Sequence, residues 1–333
     1  MPAPKKKPFF MRILNFISHH SALFMILATI LGFLLPELSD VVLPYLPMVL
    51  FFLMFFTLMA INQHTLVRTL SQSSVWLYAL IHTVGMSVLG IGVCYALGIR
   101  DDLLLAVAAI MATGSLFATP AIVRSIGFEP LYAMALTIAT TLLMPVVLYI
   151  NLWLFQTADV ELDMALYIKR LLIFIVGPMA ASALVHRWVA ESVLLKIHQQ
   201  LSKVTMLLVM TFPFGLIGSF RREFDQHHWH AFGLLFLSMA IVTVLFWLNF
   251  YLYRKSTTEH RISAAVASGG RNVLLTFTIA APFLGTQYLP LIGAMQFPIY
   301  ALPLVSRAWM RWQERRHHVA IPHEMTDEDD VVL

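Results

Sequence analysis

The stretch ISAAVASGGRNVLLTFTIAAPFL, residues 262–284, is long and apolar enough to cross a membrane, yet its middle reads Ala267-Ser268-Gly269-Gly270-Arg271-Asn272. An arginine near a bilayer midplane is disfavoured by several kcal/mol and marks a substrate or ion pathway; the adjacent glycines point to an unwound helix whose backbone lines a cavity. A second interruption, Met111-Ala112-Thr113-Gly114-Ser115 followed by Thr119-Pro120, lies in the first half of the chain. A pair of Gly/Pro-interrupted hydrophobic segments in corresponding positions of two halves is the sequence mark of a secondary transporter's binding site.

Composition sets the frame for that reading. Hydrophobic residues make up 59% of the 333 and charged residues only 12%, which excludes an ordinary soluble domain. A hydrocarbon core of about 30 Å needs roughly 20 apolar residues per helix, so the length accommodates about ten spans and leaves no separate soluble domain. The single cysteine, Cys94, lies in an apolar run and excludes both an intrachain disulfide framework and a cysteine-based metal cluster. The N-terminal Lys5, Lys6, Lys7 and Arg12 precede an apolar run without a small-residue cleavage site, so it is read as an uncleaved first helix. The acidic tail, with Asp327, Glu328, Asp329 and Asp330, is expected to be disordered.

Apolar runs bounded by charge or proline predict spans near 21–36, 44–62, 74–98, 103–126, 130–155, 165–188, 204–220, 230–253, 261–284 and 287–308. With the N-terminus cytoplasmic, sixteen Lys and Arg fall on inner segments and five on outer ones. That asymmetry puts both termini in the cytoplasm, as expected of a multi-pass protein of a bacterial inner membrane. The two interruptions fall in the fourth and ninth spans. Five spans per half is an odd number, so the second half must be inverted relative to the first. The predicted fold is therefore all-α and integral to the membrane: two inverted five-helix repeats, 21–155 and 156–310, whose broken fourth and ninth helices cross at the midplane. A basic N-terminus (1–20) and a cytoplasmic tail (311–333) flank them.

The chemistry of such breaks is physical. A half-helix N-terminus offers unpaired N–H groups to an anion, while unwound carbonyls and half-helix C-termini suit a cation. Ser268, Gly269, Gly270, Arg271 and Asn272 in the ninth span, and Thr113, Gly114, Ser115 and Thr119 in the fourth, are the candidate binding residues. Thr119 is predicted to N-cap the helix that follows, with Pro120 at its first position. Arg271 is always charged and forks onto carboxylate, sulfate or phosphate, so its expected partner is a small organic anion. His82, in the third span, is a further candidate: it relays protons or ligates the substrate, or is a hydrogen-bonded packing residue. Thr137, Thr140 and Thr141 share one face of the fifth span, where they line a cavity or bond their own helix. His227, His228 and His230 read as a solvated outer loop, and Arg307–Arg316 with Trp309 and Trp312 as a cytoplasmic interfacial anchor.

These features together resemble the bile acid:sodium symporter family, from about Leu23 to Arg307. The resemblance is carried by Gly32-Phe33-Leu34-Leu35-Pro36, Pro44-Tyr45-Leu46-Pro47, Thr113-Gly114-Ser115 leading to Gly127, and Thr140-Thr141-Leu142-Leu143-Met144-Pro145. Gly269 and Asn272 fall on the Gly and Asn of the family's Glu-x-Gly-x-Gln-Asn motif. The resemblance implies alternating-access transport of an organic anion. It also implies two sodium sites, at positions that here hold Ala267, Arg271 and His82, with Thr137 and Thr140 beside them. Replacing a carboxylate and gaining a guanidinium turns attraction for a cation into repulsion. The expectation is a sodium-independent carrier, a uniporter or exchanger or one coupled to protons through His82, with no cofactor; Na⁺ is the one ion the resemblance raises. Membrane lipid is the other expected partner, and nothing points to nucleic acid.

Two other classes compete. A transporter-like receptor would bind the anion without moving it. An intramembrane enzyme would use Ser115 or Ser268 with His82, but Ser115 has no Gly-x-Ser-x-Gly elbow and no carboxylate orients the histidine, so a non-enzyme is expected.

Overall fold

In a computed structural model of the chain, residues 20–59, 63–155, 162–189 and 191–317 are described. The acidic tail and all but the last residue of the basic N-terminus lie outside them, and with them the expectations of disorder and cytoplasmic placement. Apolar runs become helices almost wherever they occur, and no strand forms among the described residues beyond one isolated bridge. In chain order the helices are α1 (Ser21–Leu34), α2 (Pro36–Met59), α3 (Gln63–Leu70), α4 (Ser73–Ala96), α5 (Asp101–Ala112), α6 (Thr119–Ser125) and α7 (Pro130–Phe155). There follow α8 (Met164–Trp188), α9 (Glu191–Gln226), α10 (His228–Leu252), α11 (Thr258–Gly269), α12 (Val273–Ala280) and α13 (Tyr288–His317).

Among the described residues, six stretches are long and apolar enough to cross a membrane: α2, α4, α7, α8, α10 and Tyr288–Met310 of α13. Large apolar side chains stand on the outside of this assembly, among them Phe236 at 76% exposure, Val88 at 68% and Trp153 at 60%. In water such a belt would drive association, whereas against lipid tails it is the ordinary surface of a multi-pass membrane protein. The helices are not equivalent: 72% of the apolar window of α7 is buried inside the protein, against 17% for α8. α7 is thus the central rod, packed on α4, α5, α6 and α11, while α8 faces outward beside α2.

A second set of helices packs around α9, which lies against α1, α2, α10 and α13. Glycines set how closely these backbones approach. A Cβ on Gly32 of α1 would stand 2.4 Å from Phe214 O of α9, and one on Gly293 of α13 would stand 2.8 Å from Leu216 O.

Three boundaries differ from expectation. The second span begins at Pro36, not near residue 44, because Pro36 sits in the first turn, where its missing N–H is not needed. Pro44 is absorbed in a 3₁₀ turn, Leu43–Tyr45. α9 runs well beyond 204–220, since the good helix formers of 191–203 continue it at the N-terminal end. His227, His228 and His230 are not a loop: His227 alone separates α9 from α10, and the imidazoles of His227 and His230 stand 3.5 and 2.7 Å from the Glu223 carboxylate.

Candidate functional site

Both interruptions are present, and the two unwound segments meet. Between α5 and α6 the backbone runs extended through Thr113–Ser115, and between α11 and α12 it opens at Gly270–Asn272. The segments pair antiparallel at Ser115 and Arg271: Leu116 N donates to Gly270 O at 2.7 Å, and Asn272 N donates to Gly114 O at 2.9 Å. Backbone groups freed by each break are thereby satisfied by the other break, which buried irregular backbone requires.

α7 forms the floor of this crossing. Ser115 N donates to Thr140 Oγ1 at 3.0 Å, and Thr137 Oγ1 lies 3.4 Å from Ser115 Oγ. Thr137 also bonds Ala133 O, and Thr140 bonds Thr137 O, of their own helix, and none of the three threonines lines the cavity beside Arg271. Gly114 is needed here for space: a Cβ would stand 3.1 Å from Thr141 N and 3.2 Å from the Thr140 carbonyl carbon, both helix backbone. The Thr141 hydroxyl has no hydrogen-bond partner, and Thr141 lines a separate apolar cavity with Met54, Leu58, Phe117, Ile138 and Met179.

Thr119 does not cap its helix. α6 starts at Thr119 itself, with Ala118 as N-cap and no side-chain cap, because the Thr119 hydroxyl is engaged by Ser115 Oγ at 3.0 Å. The cap on the other break does form, as Asn272 precedes α12 and its Oδ1 accepts from Leu275 N at 3.3 Å. Asn272 Nδ2 is buried without a partner.

Arg271 is fully buried, and its counter-charge is backbone. Nε donates to Ser268 O at 3.2 Å, while Nη1 donates to His82 O at 3.1 Å, Met111 O at 2.9 Å and Thr113 O at 2.8 Å. Met111 and Thr113 end α5, and Ser268 belongs to the last turn of α11, so these carbonyls carry the negative ends of two helix dipoles. The fourth carbonyl comes from a π-turn at Ile81–Gly85, where the amide of Met86 reaches Ile81 O and Thr83 O and passes over His82 O. Nη2 has no partner.

His82 braces this arrangement. Its Nε2 lies 3.2 Å from Thr113 O, which can only accept, so Nε2 carries the hydrogen. Nδ1 contacts the Tyr78 hydroxyl at 3.0 Å, and that hydroxyl also reaches Ala264 O of α11 at 2.9 Å. Ser268 Oγ accepts from Asn249 Nδ2 of α10 at 2.7 Å, and Thr113 Oγ1 pairs with Thr276 Oγ1 of α12. Ala267 stands apart from these polar contacts, buried with Val75, Tyr78, Tyr132, Leu136 and Ala264.

A small closed cavity of about 10 Å³ lies between the crossing and α9 and α13. Arg271, Leu116, Val273 and Leu274 line one side, with Val273 and Leu274 forming the first turn of α12; Phe212, Leu216, Gln296, Ile299 and Tyr300 line the other. Tyr78, Asn249, Gln296 and Tyr300 were not singled out by sequence. Tyr78 lies one helical turn before His82, and Gln296 is a polar break in the apolar run of α13, so both had a readable signal. Compared with known proteins, the chain matches no family model and no curated protein, and the case for its function rests on the geometry of this crossing.

Proposed function

We propose that the chain carries a small organic anion across a bacterial inner membrane by alternating access, without sodium coupling. Both termini would be cytoplasmic, and two inverted five-helix repeats would meet at the crossing. The observation that carries this reading is the placement of Arg271. Four carbonyls hold it, yet Nη2 is left unbonded in a residue that lines the cavity beside the first turn of α12. A guanidinium N–H pair next to a helix N-terminus suits one acid group, by charge and by unpaired amides.

The resemblance to bile acid:sodium symporters agrees in plan. Arg271 and the apolar setting of Ala267 argue against sodium as the driver, because a fixed positive charge repels a cation over a few ångströms of low dielectric. Gly114, Ser115, Thr119, Gly269 and Gly270 shape the crossing, and Asn272 Nδ2 is the second free donor beside it. In the closed state the cavity holds about one water, so α9 and α13 must move away from the crossing to admit an anion.

The test is ligand-induced thermal stabilisation of the purified protein against a panel of small organic anions in sodium and N-methylglucamine buffers. Uptake of the best ligand into proteoliposomes follows. Stabilisation and uptake that ignore Na⁺ are expected. Binding with no uptake would replace the carrier by a transporter-like receptor, and obligatory Na⁺ would overturn sodium independence.

A further inference from the structure

The connection between α10 and α11 gathers cations that no acid of the chain neutralises. Arg254 and Lys255 lie in the turn and Arg261 one turn into α11, and among the described residues none of the three pairs with a carboxylate, neighbouring Glu259 included. Two of these cations are held by successive aromatic residues at the end of α10. Arg261 Cζ lies 3.5 Å from the centroid of the Phe250 ring while its Nε donates to Phe250 O at 2.8 Å. Arg254 Cζ lies 4.4 Å from the centroid of the Tyr251 ring, and its Nη1 donates to the Tyr251 hydroxyl. Stacking fixes the plane of a guanidinium and keeps its remaining N–H groups for a further acceptor; among the described residues no hydrogen bond reaches Nη1 or Nη2 of Arg261. Phe250 in turn meets Trp309 of α13 edge-on at 4.8 Å, and Trp309 meets Trp247 of α10 at 6.0 Å. α10, α11 and α13 thus share one aromatic cluster, which Trp247 at 42% exposure and Tyr251 at 58% leave open to the outside. Tyr and Trp rings sit at the headgroup level of a bilayer, and basic pockets between helices at that level bind anionic headgroups.

We propose that this cluster binds an anionic phospholipid, whose phosphate is received by Arg254 and Arg261 and whose acyl chains run along the exposed face of α10 over Tyr251, Trp247 and Val244. These three residues lie three and four positions apart, hence on one side of the helix. A free phosphate would meet the same cations but gain nothing from that apolar face, so the occupant is the lipid. Bound there, it ties the start of α11 to α10 and α13. The site stands apart from the crossing and does not depend on whether an anion is carried.

The test is thermal unfolding of delipidated protein in a neutral detergent with phosphatidylglycerol, phosphatidylethanolamine or inorganic phosphate added, with native mass spectrometry to count the lipid retained. No organic-anion substrate is present, so the outcome is read separately from transport. Phosphatidylglycerol is expected to raise the melting temperature of wild type by several degrees, saturably, and the other two to leave it nearly unchanged. Arg254→Gln and Arg261→Gln are each expected to lose most of that shift and the retained lipid. Arg187→Gln, which removes the same charge from the end of α8 outside this cluster, is expected to keep both. Arg254 is exposed and sits in the turn, so Arg254→Gln reads the site even if Arg261→Gln fails to fold. The inference is overturned if phosphatidylethanolamine or inorganic phosphate stabilises as well as phosphatidylglycerol, if Arg187→Gln loses as much of the shift as Arg254→Gln, or if Arg254→Gln keeps the full shift and the lipid.

Discussion

Arg271 shows how a buried charge can be held without an ion pair. Each of its carbonyl contacts is charge-assisted, roughly twice as strong as a neutral hydrogen bond, and offsets part of the penalty of burying the guanidinium. The contacts depend in turn on neighbours that orient the carbonyls, above all the His82–Tyr78 pair. Tyr78→Phe removes the hydroxyl between His82 Nδ1 and Ala264 O. The expected loss is about 1–3 kcal/mol, read as a lower melting temperature with the helical circular dichroism unchanged. Gly114→Ala places a methyl against three backbone atoms of α7, whereas Gly92→Ala on α4 meets nothing within 4 Å. The first is expected to destabilise by about 1–3 kcal/mol and the second to be neutral or slightly stabilising, compared side by side in one melting series.

Helices in this protein are held by close backbone approach and by polar groups that span from one to the next. Gly32 brings α1 onto the carbonyl of Phe214, a contact that no Cβ can share, so Gly32→Ala forces the two helices apart. Its effect is expected to exceed 1 kcal/mol by the usual size of overpacking, about 1–3 kcal/mol. Gly233→Ala on α10, with nothing within 4 Å, should leave the melting temperature unchanged or slightly raised. Pro145 lies inside α7, and its carbonyl accepts from the Tyr167 hydroxyl of α8 at 2.7 Å. Tyr167→Phe is therefore expected to loosen α8 from α7 at a loss of about 1 kcal/mol, detected as faster cleavage of the α7–α8 connection by protease.

For the whole molecule the decisive feature is that one wall of the cavity belongs to the crossing and the other to α9 and α13. The alternating access proposed above requires these walls to part. Cys94 is the only cysteine, so replacing it with alanine gives a clean background for labelling. In that background Gln296→Cys is expected to resist a membrane-impermeant maleimide in the ligand-free protein and to react faster under transport conditions. Fast labelling at rest would mean that the closed arrangement is not the populated state.

The membrane class, the places of the two breaks and the identity of Arg271 as the buried charge were all present in the sequence. Each depends on local composition: apolar runs of bilayer length, adjacent glycines, and one arginine amid alanine and leucine. The shared face of Thr137 and Thr140 was legible for the same reason, since helical period acts over a few residues. Only the tertiary structure decided what the breaks do to each other. The bridge between Ser115 and Arg271 joins positions far apart in the chain, and it diverts the Thr119 hydroxyl from capping to Ser115. The cage around Arg271 is made of main-chain oxygens, which every residue carries. Its acceptors therefore leave no mark in the order of side chains, and only folding brings them to one point.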